Sequence, residues 1–313
     1  MSTSHPCSPN DAATPSTDPP EAEKKPRRLL GPKFFSGLVA VPILIALLWF
    51  GGWPLFIVSS LAMLIGIEEF YWNVKAKGIH PFRPAGWVCS MGILVATQFV
   101  VNAPSWRSGI ITICIAASVL LSMIAQFKRP AGSSVIANTG ATVFGVVWVG
   151  LLFSFFLRLR TLELSAALDN IPVDGFRDRM GPIFFVMLAV WMQDNAAQNF
   201  GKLFGTRKPW PNVSPNKTLE GSAAGLLACL LVSIVVGTAF GFNTLHMIGL
   251  GLVMGVLGQL GDLCKSMIKR ELGVKDFSSI IPGHGGVLDR FDSLLFAMPV
   301  AYLYFRVIVM PIW

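Results

Sequence analysis

The sequence predicts an all-α, polytopic membrane protein of about nine transmembrane helices with a cytoplasmic N-terminus. Three observations carry that expectation. Hydrophobic residues make up 53% of the 313 residues, and the mean hydropathy is +0.61, more apolar than a soluble domain of this length. Apolar runs of roughly 18 residues or more recur along the chain, each long enough to cross ~30 Å of hydrocarbon. The loops between these runs alternate between basic and weakly charged, the pattern that places Lys- and Arg-rich loops in the cytoplasm.

Residues 1–32 are rich in Pro, Ser, Thr and Ala and nearly free of large apolar side chains. Such a segment cannot bury enough surface to offset its ordering entropy, so a disordered cytoplasmic tail is expected there. It ends in Lys24, Lys25, Arg27 and Arg28, with Lys33 directly before the first apolar run. A cleaved signal peptide would have a shorter leader and a small-residue cleavage site, and neither is seen. Residues 33–313 are then one membrane-embedded domain, its catalytic half at about 181–313.

Spans are expected at about 34–50, 54–71, 85–102, 107–126, 136–157, 181–200, 219–241, 245–268 and 291–311. Pro42, Gly66, Gly92, Gly140 and Gly145 fall inside them, which membrane helices tolerate. Trp49, Trp53, Trp72, Trp87, Trp106 and Trp210 lie near span ends and fit an aromatic belt. Cys7, Cys89, Cys114, Cys229 and Cys264 show no CxxC spacing and read as small hydrophobes, with neither a disulfide framework nor a zinc site.

One set of loops holds the N-terminal tail, Lys75/Lys77/Arg83, Lys128/Arg129, Lys202/Arg207/Lys208/Lys217 and the segment after residue 270. The other holds Gly51-Gly52, residues 102–106, the mixed-charge segment 158–179 and residues 241–244. The basic set is assigned to the cytoplasm, and an odd number of spans then leaves Trp313 outside. The net charge of +8 clusters beside apolar runs, so the anionic partner it implies is a membrane surface rather than nucleic acid.

Chemistry concentrates between Gly261 and Ser293, where a chain only 13% charged crowds acids and bases together. If the run from Leu245 continues as helix to about Arg270, Asp262, Ser266 and Lys269 fall at i, i+4 and i+7 on one face. Residues 282–286 read Pro-Gly-His-Gly-Gly and cannot be helix; their glycines let backbone amides approach an anion. Asp289, Asp292 and Ser293 are expected to open the next helix. Two acids on separate helices joined by a basic, glycine-rich loop make a candidate Mg²⁺–phosphate site, because magnesium takes one or two carboxylates and completes its shell with phosphates and water. The plainer alternative is a basic loop whose acids pair with its own Lys and Arg, as most charge runs do; it leaves the glycines and the placement of the acids unexplained.

The stretch resembles the signature of the phosphatidate cytidylyltransferases (CDP-diacylglycerol synthases), which reads S-x-x-(apolar)-K-R, K-D, and P-G-H-G-G-(apolar)-x-D-R-(apolar)-D. Here those positions are Ser266, Lys269-Arg270, Lys275-Asp276, Pro282-Gly283-His284-Gly285-Gly286, Asp289-Arg290 and Asp292. So many fixed positions in one order are far more specific than a lone glycine motif. The family commonly carries a glutamate just before the serine, where this chain has Lys265.

Two further segments resemble the family. Its Trp-Gly-Ala-Asp-(Thr/Ser)-Gly-Ala-Tyr corresponds to Trp191-Met192-Gln193-Asp194-Asn195-Ala196-Ala197-Gln198, which keeps the tryptophan, the aspartate and one alanine. An acid within an apolar span is itself a functional-site candidate, set against the simpler reading of an acid shallow enough to reach interfacial water. Ser214-Pro215-Asn216-Lys217-Thr218 resembles the family's S-P-x-K-T, just before a helix start that favours phosphate. An ordinary basic flank is the plain reading of that motif. Glu68-Glu69 close the second span, for which capping or pairing with Lys75 or Lys77 is expected.

The resemblance implies transfer of CMP from CTP to phosphatidic acid, with Mg²⁺ held by the acids matching Asp262 and Asp289 and K⁺ as a second cation. Ser266, Lys269 and Asp194 complete the implied catalytic set. Ser214, Lys217, Thr218, Arg270, Lys275, His284, Gly285, Gly286, Arg290 and Asp292 are implied at the substrate, and a homodimer is the implied assembly. The alternatives are a CTP-dependent transferase for another lipid phosphate and a non-catalytic lipid-binding relative. A transporter is disfavoured, because its charges would lie near mid-membrane in repeated helices.

Overall fold

The computed structural model describes residues 42–129, 134–162, 175–280 and 285–309, with only the backbone of 175–179. The tail at 1–32 and His284 therefore lie outside the described residues. The regular elements among the described residues are helices. Residues 42–50 form α1; then come α2 (Gly52–Ala76), α3 (Arg83–Phe99), α4 (Pro104–Gln126), α5 (Val135–Arg160), α6 (Gly175–Phe204), α7 (Leu219–Ala239), α8 (Thr244–Leu272) and α9 (Asp292–Val309). Six of these, α2, α4, α5, α7, α8 and α9, are long and apolar enough to cross a membrane. That is fewer than the nine spans expected. α3 has only 17 residues, α6 carries the polar residues Gln193, Asp194, Asn195, Gln198 and Asn199 in its second half, and α1 is described only from residue 42.

The helices pack in two neighbouring groups. α6 runs along α7, α7 along α8, and α8 along α9, while α2, α3, α4 and α5 pack together. The second half of α5 meets α9 and joins the groups, with Phe153 of α5 4.9 Å from the Phe291 ring. Apolar tails of lipid solvate a helix as well as leucine does, so close backbone approach has to hold such a bundle together. α8 presents Gly251, Gly255 and Gly258 to Ser233, Leu226 and Gln193. Gly86 of α3 and Gly145 of α5 leave room for the buried Tyr71 ring, where a Cβ would strike it; the Tyr71 hydroxyl donates to the Thr142 carbonyl at 2.7 Å. A π-helical turn at Val146–Leu151 interrupts α5 where it passes α3. On α7, Leu227, Leu231 and Val235 are exposed at helical spacing, an apolar stripe of the kind that faces lipid.

The basic loops gather at one end of the bundle. The His80 amide donates to Asn138 Oδ1 at 2.7 Å and the Phe82 amide to Thr142 Oγ1 at 2.8 Å, tying loop 77–82 to the start of α5. Asn73 Nδ2 donates to the Phe277 carbonyl at 2.7 Å, tying α2 to the segment after α8. Arg270 Nε donates to the Val213 carbonyl at 3.2 Å, tying that end of α8 to loop 205–218. Trp53, Trp72 and Trp106 near helix ends are exposed, as an aromatic belt requires. The four described cysteines are free thiols.

Candidate active site

Three helix ends meet where those loops gather. α8 stops at Leu272 because Gly273 takes a left-handed φ of 70°, which glycine adopts without strain. α7 starts behind Thr218, whose hydroxyl accepts the Gly221 amide at 3.2 Å as an N-cap. α9 opens at Asp292. Asp289 lies in the turn before α9 rather than on the helix, a correction to the expected i, i+3 pair of helical acids.

Between these ends lies a cavity of about 520 Å³. Four acids line it, Asp194, Asp262, Asp289 and Asp292, with Lys217 and Arg290 as its bases. Ser214, Asn216, Thr218, Ser222 and Gln259 add neutral polar groups, and Asn195 and Gln198 extend the wall along α6. A second cavity of about 630 Å³ lies beside Leu64, Trp72, Trp87 and Ile280 and is lined almost entirely by apolar atoms. Only the first brings together groups able to handle phosphate.

Its charges are paired in detail. Lys217 Nζ is 2.8 Å from Asp262 Oδ2 and within 3.5 Å of the Gln259 carbonyl. Lys265 of α8 reaches all three clustered acids: it contacts Asp292 Oδ2 and lies 3.7 Å from Asp289 Oδ1 and 3.8 Å from Asp262 Oδ1. Asp289 also takes Lys269 Nζ at 3.0 Å on Oδ1, and the Phe277 and Gly286 amides at 2.9 and 3.2 Å on Oδ2. Burial pushes the Asp289 pKa up, but the Phe277 amide, Lys269 and Lys265 more than offset this and hold it below the usual carboxylate value. Asp289 is therefore a charged carboxylate at neutral pH. Asp194 opens on the cavity and accepts the Ser293 hydroxyl at 3.3 Å, which joins the α6 acid to the start of α9.

A model of the cytidylyltransferase family matches residues 33–308. The chain belongs to that family. Proteins named phosphatidate cytidylyltransferase from Staphylococcus haemolyticus and Staphylococcus aureus (strain COL) are each 31% identical to it over 268 residues, 85% of this chain and 95% of theirs. The protein of that name from Synechocystis sp. is 30% identical over 298 residues, 90% of this chain and 97% of its own.

Within this cytidylyltransferase-family chain, the residues expected at the site divide into three sets. Asp194, Ser214, Lys217, Thr218, Asp262, Asp289, Arg290 and Asp292 line the cavity. Lys269 stands behind Asp289, and the Gly285–Gly286 backbone folds over the same carboxylate. Ser266, Arg270 and Lys275 lie outside the cavity wall: Ser266 is half-buried on α8, Arg270 is spent on Val213, and Lys275 is exposed. The predicted i, i+4, i+7 face of α8 is present, yet it is the i+3 residue, Lys265, that enters among the acids, because i and i+3 are also helical neighbours.

Glu69 has the structural role expected of it, but with other partners. The expected partners Lys75 and Lys77 are not the ones found. Glu68 pairs with Arg83 at 2.6 Å. Glu69 is 4% exposed and accepts the Val287 and Leu288 amides, both at 2.9 Å, and the Ser278 hydroxyl. A Cβ at Gly286 would come within 2.6 Å of its carboxylate, so glycine at 286 lets the loop close on the acid. Two adjacent acids at the end of a span were the visible signal; the partners of Glu69, more than two hundred residues away, were not.

Proposed function

We propose that this chain transfers CMP from CTP to phosphatidic acid, giving CDP-diacylglycerol and pyrophosphate. The observation that carries the reading is the convergence of Asp194, Asp262, Asp289, Asp292, Lys217 and Arg290 on one cavity at the basic end of the bundle, in a chain similar over most of its length to proteins named for this activity. In the transfer an oxygen of the lipid phosphate bonds to the α-phosphorus of CTP, the bond from that phosphorus to the bridging oxygen breaks, and pyrophosphate leaves with the electron pair. Positioning and charge neutralisation are what such a reaction asks of the protein.

Lys217 and Arg290 bind phosphate oxygens, with the start of α7 behind Thr218 adding amides and a favourable dipole. Asp194 lines the cavity from α6, held by the buried Ser293 hydroxyl behind it. Among the described residues no group of three or more His, Cys, Asp or Glu side chains forms a metal site, so magnesium would rest on one or two carboxylates together with substrate phosphates. Asp262 has a partly open carboxylate on the cavity wall, its side chain 29% exposed, and one or two carboxylates with substrate phosphates are the usual magnesium shell. Asp262 would hold Mg²⁺ with Asp289 beside it, and the ion when bound neutralises charge on the nucleotide phosphates. Asn195 and Gln198, which depart from the family's residues, line the same cavity and favour a second reading in which the lipid phosphate carries another head group. Purified protein given labelled CTP, Mg²⁺ and a panel of lipid phosphates is expected to make labelled CDP-diacylglycerol from phosphatidic acid fastest. A faster product from another lipid would establish the second reading, and no product from any would overturn both.

The proposal includes nine spans with the N-terminus and the site in the cytoplasm and the C-terminus outside. Loops carrying Lys75, Lys128, Arg207 and the segment after α8 all belong to the basic set. A reporter in loop 205–217 is expected to read as cytoplasmic and one after Trp313 as extracytoplasmic; both on one side would refute the arrangement. A homodimer remains part of the proposal.

A further inference from the structure

Lys265 is in an unusual place for a lysine. Its side chain is 6% exposed, and its ammonium contacts Asp292 Oδ2, stands 3.4 Å from the Asp289 carbonyl oxygen, and lies 3.7 and 3.8 Å from Asp289 Oδ1 and Asp262 Oδ1. Oxygens from three acids, on α8, in the preceding turn and on α9, thus surround one point, and a lysine nitrogen occupies it. Lys217 pairs with the other oxygen of Asp262, and Lys269 with the same Asp289 Oδ1 that faces Lys265. Like charges this close and this buried cannot all stay ionised without a cation among them.

We propose that the Lys265 ammonium is a tethered monovalent cation filling the centre of the Asp262–Asp289–Asp292 cluster, so that this protein takes up no K⁺ or Na⁺ there. Two features support it. The ammonium donates to the Asp289 carbonyl and to Asp292 Oδ2, and the Asp262 and Asp289 carboxylates stand at ion-pair distance around it. It is also carried by the same helix as Asp262, three residues on, so the cation is always present and independent of the ionic composition outside. The expectation of K⁺ beside Mg²⁺ is thereby replaced by a covalently attached charge. The proposal rests on the reading of cytidylyl transfer only where activity is measured; the cluster geometry stands apart from the identity of the substrate.

The test compares thermal unfolding midpoints in detergent for the wild type, Lys265→Gln and Lys265→Arg in KCl, NaCl and choline chloride at equal ionic strength, with CMP transfer measured alongside. The wild type and Lys265→Arg are expected to have the same midpoint in all three salts. Lys265→Gln is expected to fall by on the order of 5 °C or more in choline and to recover part of that loss in KCl or NaCl, because an added ion can then enter. If Lys265→Gln cannot be isolated folded, pairing it with Asp292→Asn removes one negative charge with the positive one and is expected to restore folding. A wild-type midpoint raised by K⁺ over choline would overturn the proposal. So would a folded Lys265→Gln as stable as the wild type in choline, or failure of the double variant to fold. The expected midpoints without CMP transfer in any salt would support the tethered cation and count against the transfer reading alone.

Discussion

Asp262→Asn and Asp289→Asn are each expected to lower CMP transfer by at least ~10²-fold, the scale of losing a main electrostatic stabiliser of a transition state. The two should fail differently. Asp262 stands on the cavity wall with its carboxylate partly open, so its loss removes charge facing the nucleotide, and excess Mg²⁺ should rescue it only in part. Asp289 is 6% exposed and holds Lys269 and two loop amides. Its amide variant presents a donor where a backbone N–H already points, so no amount of Mg²⁺ should restore it. Asp194→Asn is expected to fall strongly as well, because Asp194 is the α6 group on the cavity and the partner of Ser293. Asp276→Asn is the control: its side chain is 53% exposed, 4.0 Å from Lys269, and off the cavity wall. Turnover measured for the four variants decides the matter. Equal, mild losses at every position would mean a generally acidic loop, and the metal assignment would have to be abandoned.

Glu69→Ala is expected to cost activity on a similar scale without touching the cavity. Its carboxylate satisfies two backbone amides and a hydroxyl, and each buried donor left without a partner costs about 1–3 kcal/mol. That sum exceeds what a short glycine-containing loop can recover by itself, so residues 285–288 should detach from α2, and Asp289 should lose its register with Lys265. Glu69→Gln keeps one acceptor oxygen and should lie between the alanine variant and the wild type. The readouts are turnover and the rate of protease cleavage in 277–288. A Glu69→Ala protein with both unchanged would show that the loop holds itself.

What could be read from the sequence, and what could not, follows from the range of the forces involved. Apolar runs and helix-start chemistry are local, so a helix appears in each stretch expected to be one, and Thr218 and Gly273 cap where their types suggest. The signature acids were legible because their spacing is fixed along the chain. Glu69 was not, since its partners come from another part of the chain and adjacent lysines offered an easier explanation. Nor could spacing tell that Lys265, rather than Ser266 or Lys269, would sit among three carboxylates: helical geometry puts all of them near Asp262, and only the turn before α9 chooses between them. Arg270 shows the converse, a signature residue whose visible work is to hold a neighbouring loop.

The bond from Glu69 to the loop also bears on how the protein is made. The acid and the Val287 amide it accepts are 218 residues apart, which at cellular elongation rates is roughly 10–40 s of synthesis. Through that interval the Glu69 carboxylate has none of the two amides and the hydroxyl that it finally accepts. The site therefore closes late, from parts delivered by both groups of helices. A fragment beginning at residue 181 would carry the whole signature and still lack the acid that folds its loop down.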